Sequence, residues 1–393
     1  MFEQQRPFAI NRSRSLCMTT VADFFETQSE QSATKAILVT SYFSAWANVI
    51  KRGWKSPNPI GYIDLFCGPG IYQDGKESVP IMLIRKILAD KELAKRMVLA
   101  FNDEDPQNIE SLKVAIKSID VEGALKNKIQ FFNQTIDNDF YKRINANKNI
   151  PILSFIDPFG YKGLTRRLIS TLIQNNGSDC IFFFNYSRIN MALSSNTKFD
   201  TYLASIFGIE RMEKLKKTLI YHEPNEREPI VINMLTEALK ETGANSVLPF
   251  KFYNNAIKRT SHYIIFVSKH PLACQIMKNI MYTISAKDSD GIALFELHDH
   301  ANFGNDCQQI SIFDTPFQSL CNELLKNNTG KTFLVKDLCS QYDSSYNNHF
   351  VGKNVKAALN FLEDQNQLIV TGRKRKYIQG KKTMPDTASV IFK

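Results

Sequence analysis

Five short apolar segments between residues 60 and 186 most constrain the fold of this chain. They read IGYIDLF, MVLAF, KIQFF, IPILSFI and DCIFFFNY, and segments with the period of an amphipathic helix separate most of them. Their apolar residues run on continuously, which is typical of strands that are covered on both faces. The alternation with helices predicts a parallel sheet with helical crossovers. We therefore expect an α/β fold with a Rossmann-like, doubly wound and mostly parallel sheet.

Segments on either side of this core complete the predicted domain. ATKAILVTSYFSAWANVIKRG has helical spacing and ends at a glycine, and residues 189–243 predict a helical insertion. NSVLPFKFYN and SHYIIFVSKH predict a strand pair that closes the sheet. We expect an N-terminal arm over residues 1–34, the main domain over 35–300 and a separate C-terminal module over 308–393.

The C-terminal module has the outline of a winged helix. LVKDLCSQY and VGKNVKAALNFLEDQ predict two helices, and QLIVTGRKRKYIQGKKTM predicts two strands around a basic turn. This turn either contacts phosphates or is an ordinary solvated hairpin. The net charge of +10 favours an acidic partner such as nucleic acid. The candidate nucleic-acid-binding residues are Arg373, Lys374, Arg375, Lys376, Lys381 and Lys382.

Several classes of protein are disfavoured by the composition. The 7 cysteines include no C-x-x-C pair, so we expect neither a disulfide framework nor a zinc ribbon. The HDH segment at residues 298–300 lacks further ligands, and we expect no metal. There is no apolar run long enough for a membrane span, and residues 1–20 lack the apolar core of a signal peptide. We expect a cytoplasmic protein.

The first candidate motif is DLFCGPG, which ends the first predicted strand. Gly68 and Gly70 would let the backbone approach a ligand closely, beyond the carboxyl end of a parallel strand. The third glycine of a dinucleotide-binding motif is replaced by Gln73, and no P-loop lysine follows. We expect a ligand such as S-adenosylmethionine, with Asp64 near its cationic end and Phe66 as a further contact. The alternative is an ordinary strand-to-helix turn.

The next two strands end in further polar candidates. In FNDEDP, Asp103 could accept hydrogen bonds from both ribose hydroxyls of an adenosyl ligand, with Glu104 as the alternative. Asp103 could instead cap the following helix. In FNQTID, Gln134 is our candidate for an adenine contact, although the segment also offers Asn133, Thr135 and Asp137.

The fourth strand ends in SFIDPFGYKG, which could bind a methyl acceptor. Asp157 and the backbone carbonyl of Pro158 could each accept an N–H of an exocyclic amine, and Phe159 could stack on a flat base. Methyl transfer to a neutral amine chiefly requires the nitrogen to be held in line with the methyl group. The alternative is a type I turn without catalytic duty.

Taken together, the motifs resemble class I S-adenosylmethionine-dependent methyltransferases, and more narrowly the three-Cys-motif partner protein family. The narrower resemblance covers about residues 35–283 and is carried by KAILVTSYFSAWANVIKR, YIDLFCGPGIYQDG, SFIDPFG and YIIFVSKHP. It implies a methyltransferase-like domain and a partner protein with a three-cysteine motif. It also implies that Asp103 binds the ribose and that residues 157–160 form the fourth motif. DPFG departs from the DPPY motif of amino methyltransferases, so the target does not follow from it.

These observations lead to one functional hypothesis and two alternatives. The first is methylation of a base nitrogen in nucleic acid, supported by the strand-end motifs and the basic module. The second is methylation of a partner protein or peptide. The third is a methyltransferase-like scaffold that binds nucleic acid or a partner without turnover.

Overall fold

We describe the protein from a computed structural model. It describes residues 30–54, 57–119, 123–136, 140, 142–143, 149–158, 163–195, 199–254, 259–288, 292–298, 315–345, 348–374 and 376–393. The predicted arm (residues 1–34) lies almost wholly outside these ranges, as do Phe159, Gly160 and Arg375.

An eight-stranded sheet forms the centre of the main domain. Its strands are β1 (Ile60–Asp64), β2 (Met97–Asn102), β3 (Gln130–Phe132), β4 (Ile152–Ile156), β5 (Asp179–Phe184), β6 (Ser246–Asn254), β7 (Arg259–Ser268) and β8 (Glu296–His298). Their order is β3-β2-β1-β4-β5-β7-β6-β8. Within the described residues β7 runs antiparallel to its neighbours and the other pairings are parallel. The predicted Rossmann-like, mostly parallel sheet is confirmed.

Helices cover both faces of this sheet, which explains why its strands are apolar throughout. One face packs against α1 (Glu30–Gly53), α2 (Val79–Leu88), α3 (Lys91–Arg96), α4 (Pro106–Lys117) and α10 (Pro271–Ile284). The other packs against α5 (Arg166–Leu172), α6 (Tyr186–Ser195), α7 (Asp200–Phe207), α8 (Ile209–Leu219) and α9 (Pro224–Lys240). Helices α6–α9 are the predicted helical insertion, and they build much of the second core.

Local signals mark several helix ends. Helix α1 ends at Gly53, as the sequence predicts, and Pro80 lies in the first turn of α2. The segment PIMLIRKILADKELAKR has helical spacing throughout, but the structure breaks it into two helices after Leu88. Asp90 causes the break, because its carboxylate accepts the N–H groups of Glu92 and Leu93 and so starts α3.

The C-terminal module folds around its own core. It consists of α11 (Pro316–Asn328), β9 (Thr332–Leu334), α12 (Val335–Ser344), α13 (Gly352–Asp364), β10 (Leu368–Thr371), β11 (Tyr377–Ile378), β12 (Lys381–Lys382) and β13 (Ser389–Phe392). The simple hairpin predicted after α13 is wrong. Strand β10 pairs with β13, and β11 and β12 form a short hairpin between them. Val390 and Phe392 explain this pairing, because both side chains are buried in the module core.

Helix α10 joins the module to the main domain through a buried lysine. The Lys278 ammonium donates hydrogen bonds to the carbonyls of Tyr342 and Ser345, each at 2.7 Å, and to Asn348 Oδ1 at 3.0 Å. All three donors of this ammonium are therefore satisfied by the C-terminal module. Burial lowers the pKa of Lys278 to about 8. The module is thus held against α10 by specific polar contacts.

Candidate active site

Three acidic side chains meet at the carboxyl edge of the sheet. Asp64 is the last residue of β1, Asp103 follows the end of β2 and Asp157 follows the end of β4. The register aligns these ends, since Asp64 lies opposite Phe101 of β2 and Phe155 of β4. Strand β1 lies between β2 and β4, so the connections turn to opposite sides at this point. Ligands of open α/β sheets bind at such switch points.

Asp64 is a buried acid with little local compensation. Its side chain is 1% exposed, and it accepts hydrogen bonds from Tyr62 Oη and the Phe66 N–H, both at 3.3 Å. Burial raises its pKa to about 8, and the negative charges of Asp157 and Asp103 add to the rise. A bound cation would reverse this effect by favouring the ionised carboxylate. Asp64 therefore suits the cationic part of a ligand.

The glycine turn after β1 connects this acid to Asp103. The Gly68 N–H donates to Asp103 Oδ2 at 3.0 Å, and the Cys67 N–H donates to the Asn102 carbonyl at 3.0 Å. Gly68 and Gly70 have φ angles of 65° and 90°, which disfavour other residues. A side chain at Gly70 would collide with α4, because its Cβ would lie 2.9 Å from Leu112 Cδ1. Gly70 therefore allows the turn to pack on α4, whereas Gly68 faces the acid.

The structure separates the two roles considered for Asp103. Asp105, not Asp103, caps α4, since its carboxylate accepts the Gln107 N–H at 2.8 Å. Asp103 is 9% exposed and accepts from Gly68 through Oδ2 and from Asp105 N and Asn108 Nδ2 through Oδ1. A carboxylate has about four acceptor positions, so Asp103 retains capacity for a ligand hydroxyl. The alternative acid, Glu104, is exposed.

Asn102 organises the adjoining loops, although the sequence analysis did not select it. Its amide nitrogen donates to the carbonyls of Leu65 and Gln134, each at 3.1 Å, and its oxygen accepts the Gln134 N–H at 3.3 Å. The side-chain nitrogen of Gln134 is buried and has no hydrogen-bond partner in the described part of the chain. A pocket lined in part by Leu65, Asn102, Phe132 and Gln134 lies beside it. The sequence signal for Asn102 is its position, since it is a polar residue at the end of an apolar strand.

The other candidates of the third motif have different surroundings. Asn133 donates through its amide nitrogen to the carbonyls of Asp103 at 2.8 Å and Glu104 at 2.9 Å. It therefore holds the loop after β2 in place. Thr135 is exposed, and Asp137 lies outside the described residues. Gln134 is thus the member of this motif whose side-chain nitrogen is buried and lacks a partner within the described residues.

On the other side of β1, Asp157 pairs with a residue from a distant part of the chain. Lys35 near the start of α1 donates to Asp157 Oδ2, and its ammonium lies 4.8 Å from the ring centroid of Phe183. Lys35 is 7% exposed and the side chain of Asp157 is 21% exposed, so this ion pair is partly buried. Pro158 is also buried, whereas Phe159 lies outside the described residues. Phe183, at the end of β5, is the aromatic side chain that the structure places beside the pair.

His262 of β7 extends this group of aromatic residues. Its ring lies 4.2 Å from the centroid of Phe183 and 4.5 Å from that of Phe252. Ser261 Oγ donates to the Phe252 carbonyl at 3.1 Å and contacts His262 Nδ1 at 2.8 Å. We assign the proton to Nδ1, because the serine hydrogen is already used. Burial, followed by the charge of Lys35, lowers the pKa of His262 well below its usual value, so the ring is neutral.

Two further residues of the first motif region contribute to the site. Burial and the charges of Asp157 and Asp64 raise the pKa of the Tyr72 phenol, which places this side chain near both acids. Phe66 lies close to the loop after β4, since a Cβ on Gly163 would be 3.3 Å from Phe66 Cζ. Neither Tyr72 nor Lys35 was selected from the sequence, because their partners are remote along the chain.

Cys67 lies inside the glycine turn but is poorly suited to act as a nucleophile. Burial raises the pKa of its thiol, and the charges of Asp64 and Asp103 raise it further. Among the described residues no three ligand-type side chains form a metal cluster. No helix in the described ranges is long and apolar enough to cross a membrane.

The basic hairpin of the C-terminal module divides into two groups of cations. Arg373 binds Glu363 with both terminal guanidinium nitrogens, and Lys382 binds Glu363 and Asp364. These two residues attach the hairpin to α13. Lys374 and Lys376 are exposed, and neighbouring Tyr377 is 56% exposed. The side chains of Arg375 and Lys381 lie outside the described part.

Solved structures of other proteins resemble this chain at low sequence identity and low TM-score. No protein-family model matches the sequence, and no curated protein matches it. The DszA carbon methyltransferase resembles the chain with a TM-score of 0.39 and 10% identity, over 64% of this chain and 58% of that one. The chain therefore spans less than two thirds of that protein. The methyltransferase domain of bacterial CtHen1-CN has a TM-score of 0.30 and 14% identity, over 59% and 99%. We base the fold assignment on the strand order and register.

A third resemblance is to precorrin-6y C5,15-methyltransferase from Geobacter metallireducens GS-15, with a TM-score of 0.30 and 11% identity. It covers 63% of this chain and 96% of that one.

Proposed function

We propose that the protein is an S-adenosylmethionine-dependent methyltransferase. The observation that carries this proposal is the cluster of Asp64, Asp103 and Asp157 at three neighbouring strand ends, in a mostly parallel sheet with one reversed strand. Asp64 would face the cationic methionyl end, and Asp103 would accept a hydrogen bond from a ribose hydroxyl. Gln134 would contact the adenine, because its buried amide nitrogen lacks a partner within the described residues.

This donor set suits the cofactor chemically. Of these three acids Asp157 is paired with Lys35, whereas Asp64 and Asp103 form no ion pair within the described residues, so a cationic ligand is favoured electrostatically. The cofactor would supply a methyl group on a positively charged sulfur. Asp157 would orient the acceptor nitrogen, and Phe183 offers an aromatic face beside it. The protein would thus contribute positioning and charge more than proton transfer.

Calorimetry and labelling test the proposal directly. We expect S-adenosylmethionine to bind the full chain, and labelled cofactor to transfer its methyl group to an acceptor. Asp157→Ala should abolish transfer while retaining cofactor binding. The matched control is Asp90→Ala. Like Asp157, Asp90 pairs with a lysine of helix α1, in this case Lys51, but it lies away from the site. Absence of cofactor binding by the wild-type protein would refute the proposal.

The acceptor that we favour is a base nitrogen in nucleic acid. We interpret the C-terminal module as a winged helix, and Lys374, Lys376 and Tyr377 are exposed in its basic segment. Cations beside an exposed aromatic ring suit a phosphate backbone and a stacked base. The described cations available for phosphate contact are fewer than the sequence suggested, because Arg373 and Lys382 form internal ion pairs.

Salt dependence distinguishes these two groups of cations. Lys374→Ala with Lys376→Ala should weaken binding of an oligonucleotide and lower the slope of log K against log salt by up to about 2. Arg373→Ala should instead destabilise the module, since it leaves Glu363 without its bidentate partner. An unchanged slope in the double variant would remove the argument for nucleic acid.

Methylation of a partner protein is the second candidate. The internal use of Arg373 and Lys382 favours it, because a smaller basic surface remains for phosphates. The resemblance to the three-Cys-motif partner family also suggests a protein partner. Label that appears only in a co-purified protein would support this candidate over nucleic acid.

A further inference from the structure

Helix α1 makes polar contacts at both edges of the sheet. Tyr42 Oη donates to Asp179 at 2.7 Å, and Trp46 Nε1 donates to the Gly177 carbonyl at 2.8 Å. Asp179 begins β5, so both anchors lie at the edge opposite the candidate site. The start of α1 consequently reaches the carboxyl edge, where Lys35 meets Asp157.

The groups around the ion pair of Lys35 and Asp157 are acidic or uncharged. Asp157 shares the edge with Asp64 and Tyr72. Burial is the largest cause of the raised pKa values of these two groups, and the negative charge of Asp157 raises both further. Lys35 also lies against Phe183, and its charge helps to keep neighbouring His262 neutral. Lys35 is the cation that bonds Asp157 within the described residues.

A purely structural explanation of this pair is weak. Buried ion pairs contribute little net stability compared with well-packed apolar residues, because both charges must be desolvated. The apolar contacts of α1, from Leu38 to Trp46, and its anchors at Tyr42 and Trp46 already attach it to the sheet. The position of the pair between an acid suited to the cofactor and an aromatic face indicates a role at the site.

We propose that Lys35 is a positioning residue for methyl transfer, which holds the Asp157 carboxylate oriented toward the acceptor. This inference rests on the proposed function. Lys35 acts through Asp157 and contacts neither Gly68 nor Asp103 in the hydrogen bonds of the described chain. It should therefore affect transfer more than cofactor binding.

The test compares Lys35→Met with Lys35→Arg and the wild type. The probes are S-adenosylmethionine for binding, and labelled S-adenosylmethionine with mixed single-stranded DNA and RNA, or co-purified protein, for transfer. We expect Lys35→Met to bind cofactor within about threefold of the wild type and to lose about 100-fold in transfer at pH 7. The loss should fall on kcat for transfer, whereas the KM for the cofactor should stay close to that of the wild type. Lys35→Arg, which keeps the charge and the N–H donors, should restore most of the wild-type transfer.

Lys51→Met is the matched control, since it removes an ion pair from the far end of α1. It should leave transfer unchanged. Active wild type with an unaltered rate of transfer in Lys35→Met would overturn the role of Lys35 alone. Wild type that binds no cofactor would overturn the proposed function and this role together. If Lys35→Met does not fold, Lys35→Arg decides: loss of transfer in that variant, which keeps the charge, overturns the proposal.

Discussion

Asp64→Asn should stabilise the protein and impair its use of the cofactor. The pKa of Asp64 rises from 3.8 to about 8 on folding, chiefly through burial. Between these values the folded state holds a proton that the unfolded state has lost, so stability falls as pH rises. A shift of about four units corresponds to roughly 5 kcal/mol, fully expressed above pH 8. Asparagine cannot ionise, so the variant lacks this penalty.

Urea unfolding across pH tests the reasoning. From pH 5 to pH 8 the free energy of unfolding of the variant should rise by up to roughly 4 kcal/mol relative to that of the wild type. Any effect of the amide that does not depend on pH leaves this change unaltered. Asp179→Asn is the control, because this buried acid at the opposite edge has a pKa of about 6. Its effect should level off above that pH. In Asp64→Asn, the preference for S-adenosylmethionine over neutral S-adenosylhomocysteine should fall. A stability difference that does not change with pH would refute the argument.

Three other predictions concern the surroundings of the site. Asp103→Asn should weaken cofactor binding about 10- to 100-fold by calorimetry, as hydrogen bonds to charged groups contribute about 1.5–3 kcal/mol, whereas exposed Glu104→Gln should have little effect. Gly70→Ala should cost more stability in urea unfolding than Gly75→Ala, since both have positive φ but only Gly70 has Leu112 at 2.9 Å; equal losses would contradict this packing. Lys278→Met should increase hydrogen exchange in α12 by removing the ammonium donor from the carbonyls of Tyr342 and Ser345, and unchanged protection would show that other contacts hold the module.

The local sequence pattern predicts much of the fold. Continuous apolar runs indicated a sheet covered on both faces, and alternating helices indicated parallel strands. Because carboxyl ends of parallel strands share one edge, Asp64, Asp103 and Asp157 could be grouped before their contacts were known. Capping was harder to assign. FNDEDP contains three acids in succession, and only geometry showed that Asp105 caps α4 while Asp103 faces the glycine turn.

By itself, the sequence determined the sheet, its helical covering and the three acids at its edge, since these depend on periodicity and on strand ends. The tertiary structure alone decided which charges meet. Lys35 and Asp157 are 122 positions apart, and no local pattern relates them. In the sequence the basic hairpin is one run of cations, whereas the structure pairs Arg373 and Lys382 with Glu363 of α13. Charges act through space, so their partners follow from packing and not from spacing along the chain.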